Sequence, residues 1–443
     1  MGSTKFIINE KKNSRGNKNS RQSSFIAGRK KCKYPYLHWK RLRDNEAWCR
    51  CDSQRLTKGW TSGHKGIDQF MKETQLKAKN RTDPFLEWIP YNRFININEI
   101  GEGGFSIVYS AEWYDLEKRL SWAAPSKARP VALKSIKNSQ DMTSEYINEL
   151  QTHYRCVSAT PSHVEKMRFD HGFLRFFGIT QDPETHDYIM VTELAPYHDL
   201  RNFLQNDFAG LDWSSKLYLL RNISGNLLTI HKAGFTHRDL HPGNILVGQV
   251  KKDGKIVTVA KLAHLGLSRP ANKGGALDGL YGVLPYFAPE VLQGKKYTKS
   301  ADIYCIGIIM AELSSGIPPF VDRPHDTKLA IEICEGLRPS FAEGTPENYV
   351  RLATQCFHMN PSERPDARFL AHTFNNWWNL TQEDNVLSNA FITADEKISE
   401  LDTSFNKHPD AIYTSRLITF ENSDSNSSDK TLNYLPPNVV KQI

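Results

Sequence analysis

Hydrophobic and polar positions change rhythm several times along the chain. Residues 1–30 carry Asn, Ser, Lys and Arg with few apolar side chains, so they have little surface to bury and no period to follow. Past Ser62, the residues Ile67, Phe70, Met71 and Leu76 recur at helical spacing until Pro84. That spacing predicts a short amphipathic helix docked on whatever follows. From Trp88 the pattern tightens. Runs rich in β-branched and aromatic residues near 94–113, 130–137, 173–180 and 188–194 read as strands. Helical periodicity then dominates near 199–232, 289–316, 325–335, 346–357 and 366–378. Ile303–Ala311, broken only by Gly307, has no polar face and reads as a buried helix. Strands first and helices later predict an α+β fold of two lobes, a small β-rich N-lobe and a larger helical C-lobe. Leu387, Phe391, Ala394, Ile398 and Leu401 then form an apolar stripe at steps of four and three. The stripe is too short for a coiled coil and is expected to pack on the last lobe. The insert 114–129 reads as a surface loop between strands, and Ser-, Asn- and Asp-rich 421–430 as flexible.

The division that follows has four parts: 1–60, basic and mostly disordered; 61–89, a short helical lead-in; 90–380, the compact domain; and 381–443, a tail with one short amphipathic helix. With 39% hydrophobic and 11% aromatic residues, the 443-residue chain can build a large core, which excludes global disorder. No apolar run approaches the ~18 residues of a membrane span. Residues 1–30 hold no signal-peptide pattern, and Phe6 stands where a myristoylation signal needs a hydroxyl. Seven scattered cysteines, an odd number, suit free thiols in a reducing compartment. The expected location is cytoplasmic, with the nucleus as the alternative.

The net charge of +8 is uneven. Residues 1–43 hold thirteen Lys and Arg against Glu10 alone, a local +12 that leaves −4 for the remainder. Such an arm can meet nucleic acid, acidic lipid or an import receptor, but a solvated tail without a dedicated partner is the favoured reading. Cys32, His38, Cys49 and Cys51 raise the question of zinc. The C-x-C spacing and the lack of a second close pair argue against it.

Three segments carry chemistry. Gly101-Glu102-Gly103-Gly104-Phe105-Ser106-Ile107-Val108 is a glycine-rich turn that lets backbone approach phosphate; alone it is also an ordinary hairpin. Ser106 stands where the G-x-G-x-x-G-x-V pattern has its third glycine. Val131-Ala132-Leu133-Lys134 ends an apolar strand on a lysine that needs an anionic partner, unless it is an edge residue. Glu145 and Glu149 on the next helix are the candidate partners; Glu149, between Ile147 and Leu150, is preferred over a solvated role. The decisive stretch is His237-Arg238-Asp239-Leu240-His241-Pro242-Gly243-Asn244, followed by Ile245-Leu246-Val247. It matches H-R-D-L-x-x-x-N at every fixed position, with Asp239 placed to orient a hydroxyl and Asn244 to offer a metal a neutral oxygen.

Taken together, these segments resemble the eukaryotic protein kinase family over about residues 90–380. Ala288-Pro289-Glu290 resembles the A-P-E segment. Asp302 resembles the aspartate that braces the catalytic loop, and Arg364 the arginine that pairs with Glu290. Met190–Ala195 resembles the hinge, with Thr192 as gatekeeper. The resemblance implies catalytic roles for Asp239, Lys134, Glu149 and Asn244. It implies that ATP lies against Gly101, Gly103, Gly104, Val108, Lys134, Glu193, Ala195 and Asn244, with Mg at Asn244. In detail the chain looks like the tyrosine-kinase-like group and the expanded kinase families of mycorrhizal fungi, through Trp60-Thr61-Ser62-Gly63 and Tyr413-Thr414-Ser415-Arg416.

The pattern breaks where the family has D-F-G. Here the segment is Leu262-Ala263-His264-Leu265-Gly266-Leu267, with His264 for the aspartate. Mg is a hard cation that takes oxygen ligands; an imidazole offers one nitrogen and no negative charge, so metal binding is expected to be weakened. His241 and Val283 also depart from the serine/threonine pattern without matching the tyrosine one, which leaves the acceptor hydroxyl open. Ser268, Tyr281 and Tyr286 are the hydroxyls between His264 and Glu290, Tyr281 being the candidate switch if phosphorylation acts there. Two functions follow. One is an impaired protein kinase transferring the γ-phosphate of ATP to a protein Ser, Thr or Tyr. The alternative is a pseudokinase acting as a nucleotide-binding or scaffolding signalling module. The intact remaining positions favour the kinase. Its partners would be a protein substrate or a partner kinase; nucleic-acid binding through the arm ranks third, with no reader motif.

Overall fold

The computed structural model describes residues 60–78, 85–102, 106–114, 128–137, 139–140, 144–158, 174–195, 199–252, 255–265, 268–270, 280–383, 386–398, 403–421 and 431–432. The basic arm, the candidate zinc ligands Cys32, His38, Cys49 and Cys51, most of the 114–129 insert and residues 422–430 lie outside them.

Six strands form one sheet: β1 (Glu87–Trp88), β2 (Phe94–Glu102), β3 (Ser106–Trp113), β4 (Arg129–Ile136), β5 (Phe176–Gln181) and β6 (Tyr188–Glu193). Their spatial order is β1-β5-β6-β4-β3-β2, and only β1 with β5 is parallel. β6 opens on the unbroken apolar run Tyr188-Ile189-Met190-Val191. Successive strand side chains point to opposite faces, so both faces must be covered. On one face Tyr188 and Met190 pack with Ile67 and Met71 of α1 (Lys65–Lys77) and with Leu150 and Tyr154 of α2 (Ser144–Ser158). On the other, Ile189 and Val191 pack with Phe94, Trp113, Val131 and Leu133.

The lead-in helix α1 docks as its spacing predicts, with one difference, at Leu76. Its N-cap is His64, whose Nδ1 accepts from the Ile67 N–H at 3.4 Å. Ser62 donates through its N–H and hydroxyl to Asp68 at 2.7 and 2.6 Å, and its carbonyl accepts from the Tyr188 hydroxyl at 2.7 Å. Leu76, counted in the apolar stripe, is 66% exposed; the buried face runs through Ile67, Met71 and Thr74.

The second lobe holds α3 (Leu200–Asp207), α4 (Trp213–Lys232), α5 (Pro289–Leu292), α6 (Lys299–Ser315), α7 (Thr327–Glu335), α8 (Glu347–Cys356), α9 (Ala367–Leu380) and α10 (Val386–Ile398). Every residue of α6 from Ala301 to Ser314 is buried, as its lack of a polar face requires. It lies so close to α8 that a Cβ on Gly307 would stand 2.9 Å from the Cys356 Cβ and 3.0 Å from the Ala353 carbonyl. It ends on Gly316 in the left-handed conformation that suits a helix C-terminus, φ +73°.

Short strands finish this lobe: β7 (Phe235–Thr236) with β10 (Arg269–Pro270), the hairpin of β8 (Ile245–Lys252) and β9 (Lys255–Leu262), β11 (Leu280–Gly282) with β12 (Arg416–Ile418), and β13 (Phe420–Glu421) with β14 (Thr431–Leu432). Phe391, Ala394 and Ile398 of α10 join the large core, as the stripe predicts, and Ile418 and Phe420 join it too. Among the described residues beyond 380, α10 and the segment through Ile418 and Phe420 are thus built into the helical lobe. The fold is the α+β, two-lobed one that the pattern implies.

Candidate functional site

The loop between β7 and β8 is held from beneath by Asp302, near the start of α6. Asp302 is fully buried, and all four of its partners are donors. Oδ2 accepts from the His237 N–H at 2.9 Å and from His231 Nε2 at 2.8 Å. Oδ1 accepts from the Arg238 N–H at 3.0 Å and from the Tyr297 hydroxyl at 3.0 Å. Burial opposes its ionisation, but the bonds from His231 and the His237 N–H keep its carboxyl below the ordinary range. Arg238 takes φ +73°, an unfavourable left-handed backbone for a side chain, which this bracing sustains.

His237 bridges two segments. Its Nδ1 accepts from the Asp239 N–H at 3.3 Å, so the ring proton sits on Nε2, which donates to the Ala263 carbonyl at 3.0 Å. Burial pushes its pKa down, in keeping with a neutral ring. Asn244 spends both amide hydrogens on Asp239, on its carbonyl and on Oδ2, each at 2.8 Å. Its own backbone carbonyl accepts from the Ala263 N–H at 3.0 Å. The Asn244 Oδ1 is therefore the side-chain atom left to face a cation. Asp239 is almost fully buried. Burial pushes its carboxyl up, yet the imidazoles of His241 and His264 and the hydroxyl of Ser415 outweigh that and hold it far below the usual carboxylate range.

His264 also takes a left-handed backbone, φ +62°, and is half-buried. It lies one residue past Ala263, so the histidine faces the electrostatic field of Asp239 where the family pattern would place a second carboxylate. Among the described residues no group of three or more His, Cys, Asp or Glu could hold a metal ion. The donor set fits a divalent cation gripped mainly by a nucleotide's phosphates, with one protein oxygen from Asn244.

The sheet side of the cleft is set by register. Lys134 on β4 pairs with Val108 on β3 and Met190 on β6. Gly101 pairs with Val108, and among the described residues nothing lies within 4 Å of the place a Gly101 Cβ would take. Thr192 is buried and Glu193 ends β6, its carboxylate paired with Lys261 from β9. Ala195 follows, half-buried. Gly103 and Gly104 lie outside the described residues; Glu145 and Glu149 fall on α2 with side chains outside them.

Two further expectations concern the support of the site. Arg364 forks onto Glu290, Nη1 to Oε1 at 2.7 Å and Nη2 to Oε2 at 2.8 Å, with both side chains buried. Tyr281, on β11, pairs with Leu417, and the charge of Asp239 adds to burial in raising its pKa. Gly282 comes so near Asp239 that a Cβ there would stand 3.1 Å from Oδ1 and 2.9 Å from the Phe287 ring.

Sequence reasoning missed one part of the site. The hydroxyl of Ser415 donates to Asp239, 2.8 Å from Oδ2 and 3.0 Å from Oδ1. His241 Nε2 lies 2.9 Å from the same hydroxyl oxygen. The sequence signal that points to it is the Tyr413–Arg416 segment, which carries the narrower family resemblance but no motif chemistry of its own.

The family model described as "Protein kinase domain" matches residues 94–375, well over half of the chain. The chain is 28% identical over 290 residues to the probable serine/threonine-protein kinase gdt2 of Dictyostelium discoideum, covering 64% of this chain and 16% of that protein. It is 29% identical over 286 residues to the probable serine/threonine-protein kinase roco5 of the same organism, covering 61% and 9%. It is 30% identical over 294 residues to that organism's cyclic GMP-binding protein C, covering 62% and 11%. This chain thus spans a small part of the length of each of these relatives.

Proposed function

The chain belongs to the protein kinase family, and from that premise we propose that it transfers the γ-phosphate of ATP to a protein serine or threonine, at a rate lowered by His264. The observation that carries this reading is the buried Asp239 carboxylate with a serine hydroxyl donating to it at 2.8 Å. Serine or threonine is preferred because a short aliphatic hydroxyl fits there and because relatives such as gdt2 bear that name. The narrower placement, in the tyrosine-kinase-like group and near the kinase families of mycorrhizal fungi, draws on Trp60–Gly63 and Tyr413–Arg416.

In this reading the protein's groups divide the work. Gly101, Gly103, Gly104 and Val108 cover the phosphates, Lys134 holds them, and Glu149 holds Lys134. Glu193 and Ala195 form the hinge beside the nucleotide. Asp239 orients the acceptor hydroxyl and takes its proton, kept ionised by the donors around it. Asn244 offers Oδ1 to a divalent metal, which when bound supplies charge neutralisation at the phosphates.

The competing reading is a pseudokinase, and His264 favours it, since a histidine replaces a carboxylate that would grip the metal. One substitution separates the two. His264→Asp is expected to raise Mg-dependent transfer at least tenfold and to strengthen the thermal shift caused by ATP with Mg or Mn. A folded variant with no gain in either would refute the missing-ligand account. Stabilisation by ATP alone, indifferent to metal in both chains, would favour the scaffold.

A further inference from the structure

Residues 403–421 run along the helical lobe and bring Ser415 to Asp239. β12 adds antiparallel to β11, with Leu280 opposite Ile418, Tyr281 opposite Leu417 and Gly282 opposite Arg416. Both flanks of Ser415 are anchored. The His408 N–H donates to the Val321 carbonyl at 2.8 Å, and Ala411 is fully buried. The Tyr413 hydroxyl donates to the Pro319 carbonyl at 2.8 Å, and the Arg201 guanidinium lies 4.5 Å from the Tyr413 ring while donating to its carbonyl at 3.1 Å. Arg416 Nη2 donates to the His325 carbonyl at 3.1 Å, and Ile418 and Phe420 are buried.

Ser415 is the residue this arrangement delivers to Asp239. The tautomer of His241 settles the direction of the bonds. Its Nδ1 accepts from the Gly243 N–H at 3.2 Å, so its proton is on Nε2 and points to the Ser415 oxygen. The serine's own hydrogen is then free to point at the carboxylate, which accepts it at 2.8 Å. Thr414, one residue earlier, is exposed. A chance contact would not combine strand pairing, an aromatic anchor on the half-buried Arg201, and one hydroxyl shared between the site's base and its neighbouring imidazole.

We propose that Ser415 is the protein's own acceptor, a phosphorylation site presented in cis to Asp239; this rests on the kinase reading above. In the step, Ser415 Oγ forms a bond to the γ-phosphorus of ATP. The bond from that phosphorus to the bridging oxygen breaks, and its electron pair leaves with ADP. The hydroxyl proton passes to Asp239. His241 is the positioning residue that donates to the serine oxygen beforehand.

The test uses the full-length chain, freed of phosphate and incubated with ATP and Mg or Mn, in the parent and in His264→Asp, with a supplied serine peptide copying residues 409–421 in parallel. Sites are mapped by tandem mass spectrometry over a hundredfold range of protein concentration. The expected result is phosphate on Ser415 with a rate constant independent of protein concentration, at least tenfold faster than any on Thr414, and lost in Asp239→Asn. A rate that scales with protein concentration would overturn the cis assignment. So would a bare Ser415 in both chains. In that case phosphate on the supplied peptide leaves the kinase reading standing, while none on either acceptor takes the kinase reading down as well.

Discussion

Asp302→Asn tests the brace beneath the catalytic loop. The change keeps size and shape but replaces one oxygen with an amide. On the Oδ2 side, His231 can switch its ring proton and accept, whereas the His237 N–H cannot change role. On the Oδ1 side, the Tyr297 hydroxyl can rotate and accept, whereas the Arg238 N–H cannot. Either orientation therefore leaves one buried backbone N–H without an acceptor, at about 1–3 kcal/mol. The surviving bonds lose the benefit of the charge, about 1 kcal/mol each, partly offset because a neutral amide is easier to bury. The net expectation is a loss of about 2–4 kcal/mol, read by urea unfolding, or about 4–8 °C in Tm for a domain of this size. Hydrogen exchange should quicken at the amides of His237 and Arg238, and phosphoryl transfer should fall with it. A loss below about 1 kcal/mol, with exchange at those two amides unchanged, would refute the account of Asp302 as an obligatory four-donor acceptor.

Arg364→Ala should cost about 3–5 kcal/mol, because it strands the buried Glu290 carboxylate; adding Glu290→Gln should recover part of that, and strict additivity in urea unfolding would argue against the pairing. Lys216, fully buried on α4, has a Nζ with no hydrogen-bond partner among the described residues, 4.2 and 4.8 Å from the rings of Phe208 and Trp213. Burial pulls its pKa down to about 7. Between that value and the ~10.4 of an unfolded lysine, the unfolded chain binds the extra proton, so stability should rise with pH across this window, by at most about 1.4 kcal/mol per unit. Lys216→Met should remove that rise and equal or exceed the parent's stability near pH 7; a lower Tm there and an unchanged pH slope would count against it.

Contiguous chemistry was legible in the residues. His237 to Asn244 states its own spacing, so both groups that meet at 2.8 Å could be named from eight consecutive letters. The buried character of α6 followed from a run with no polar face, and the docking of α1 from its stripe. Where a residue's fate depended on what lay against it, the pattern fell short. Leu76 fits the α1 stripe by spacing yet is exposed, because the sheet covers only the Ile67–Met71–Thr74 side. His264 declared its substitution in the sequence, but not its left-handed backbone or its place in the field of Asp239.

Sequence alone determined which groups exist and which neighbours in the chain hold them at fixed spacing, because backbone geometry sets distances over a few residues. Tertiary structure decided the pairs separated by long stretches of chain: Arg364 with Glu290, Asp302 with the 237–238 amides, and Ser415 with Asp239, which stand 176 positions apart. A hydroxyl so distant carries no local mark of its destination. It reaches the carboxylate only because strand pairing with β11, the Arg201–Tyr413 stack and the burial of Ile418 and Phe420 together fix the path of the chain around it.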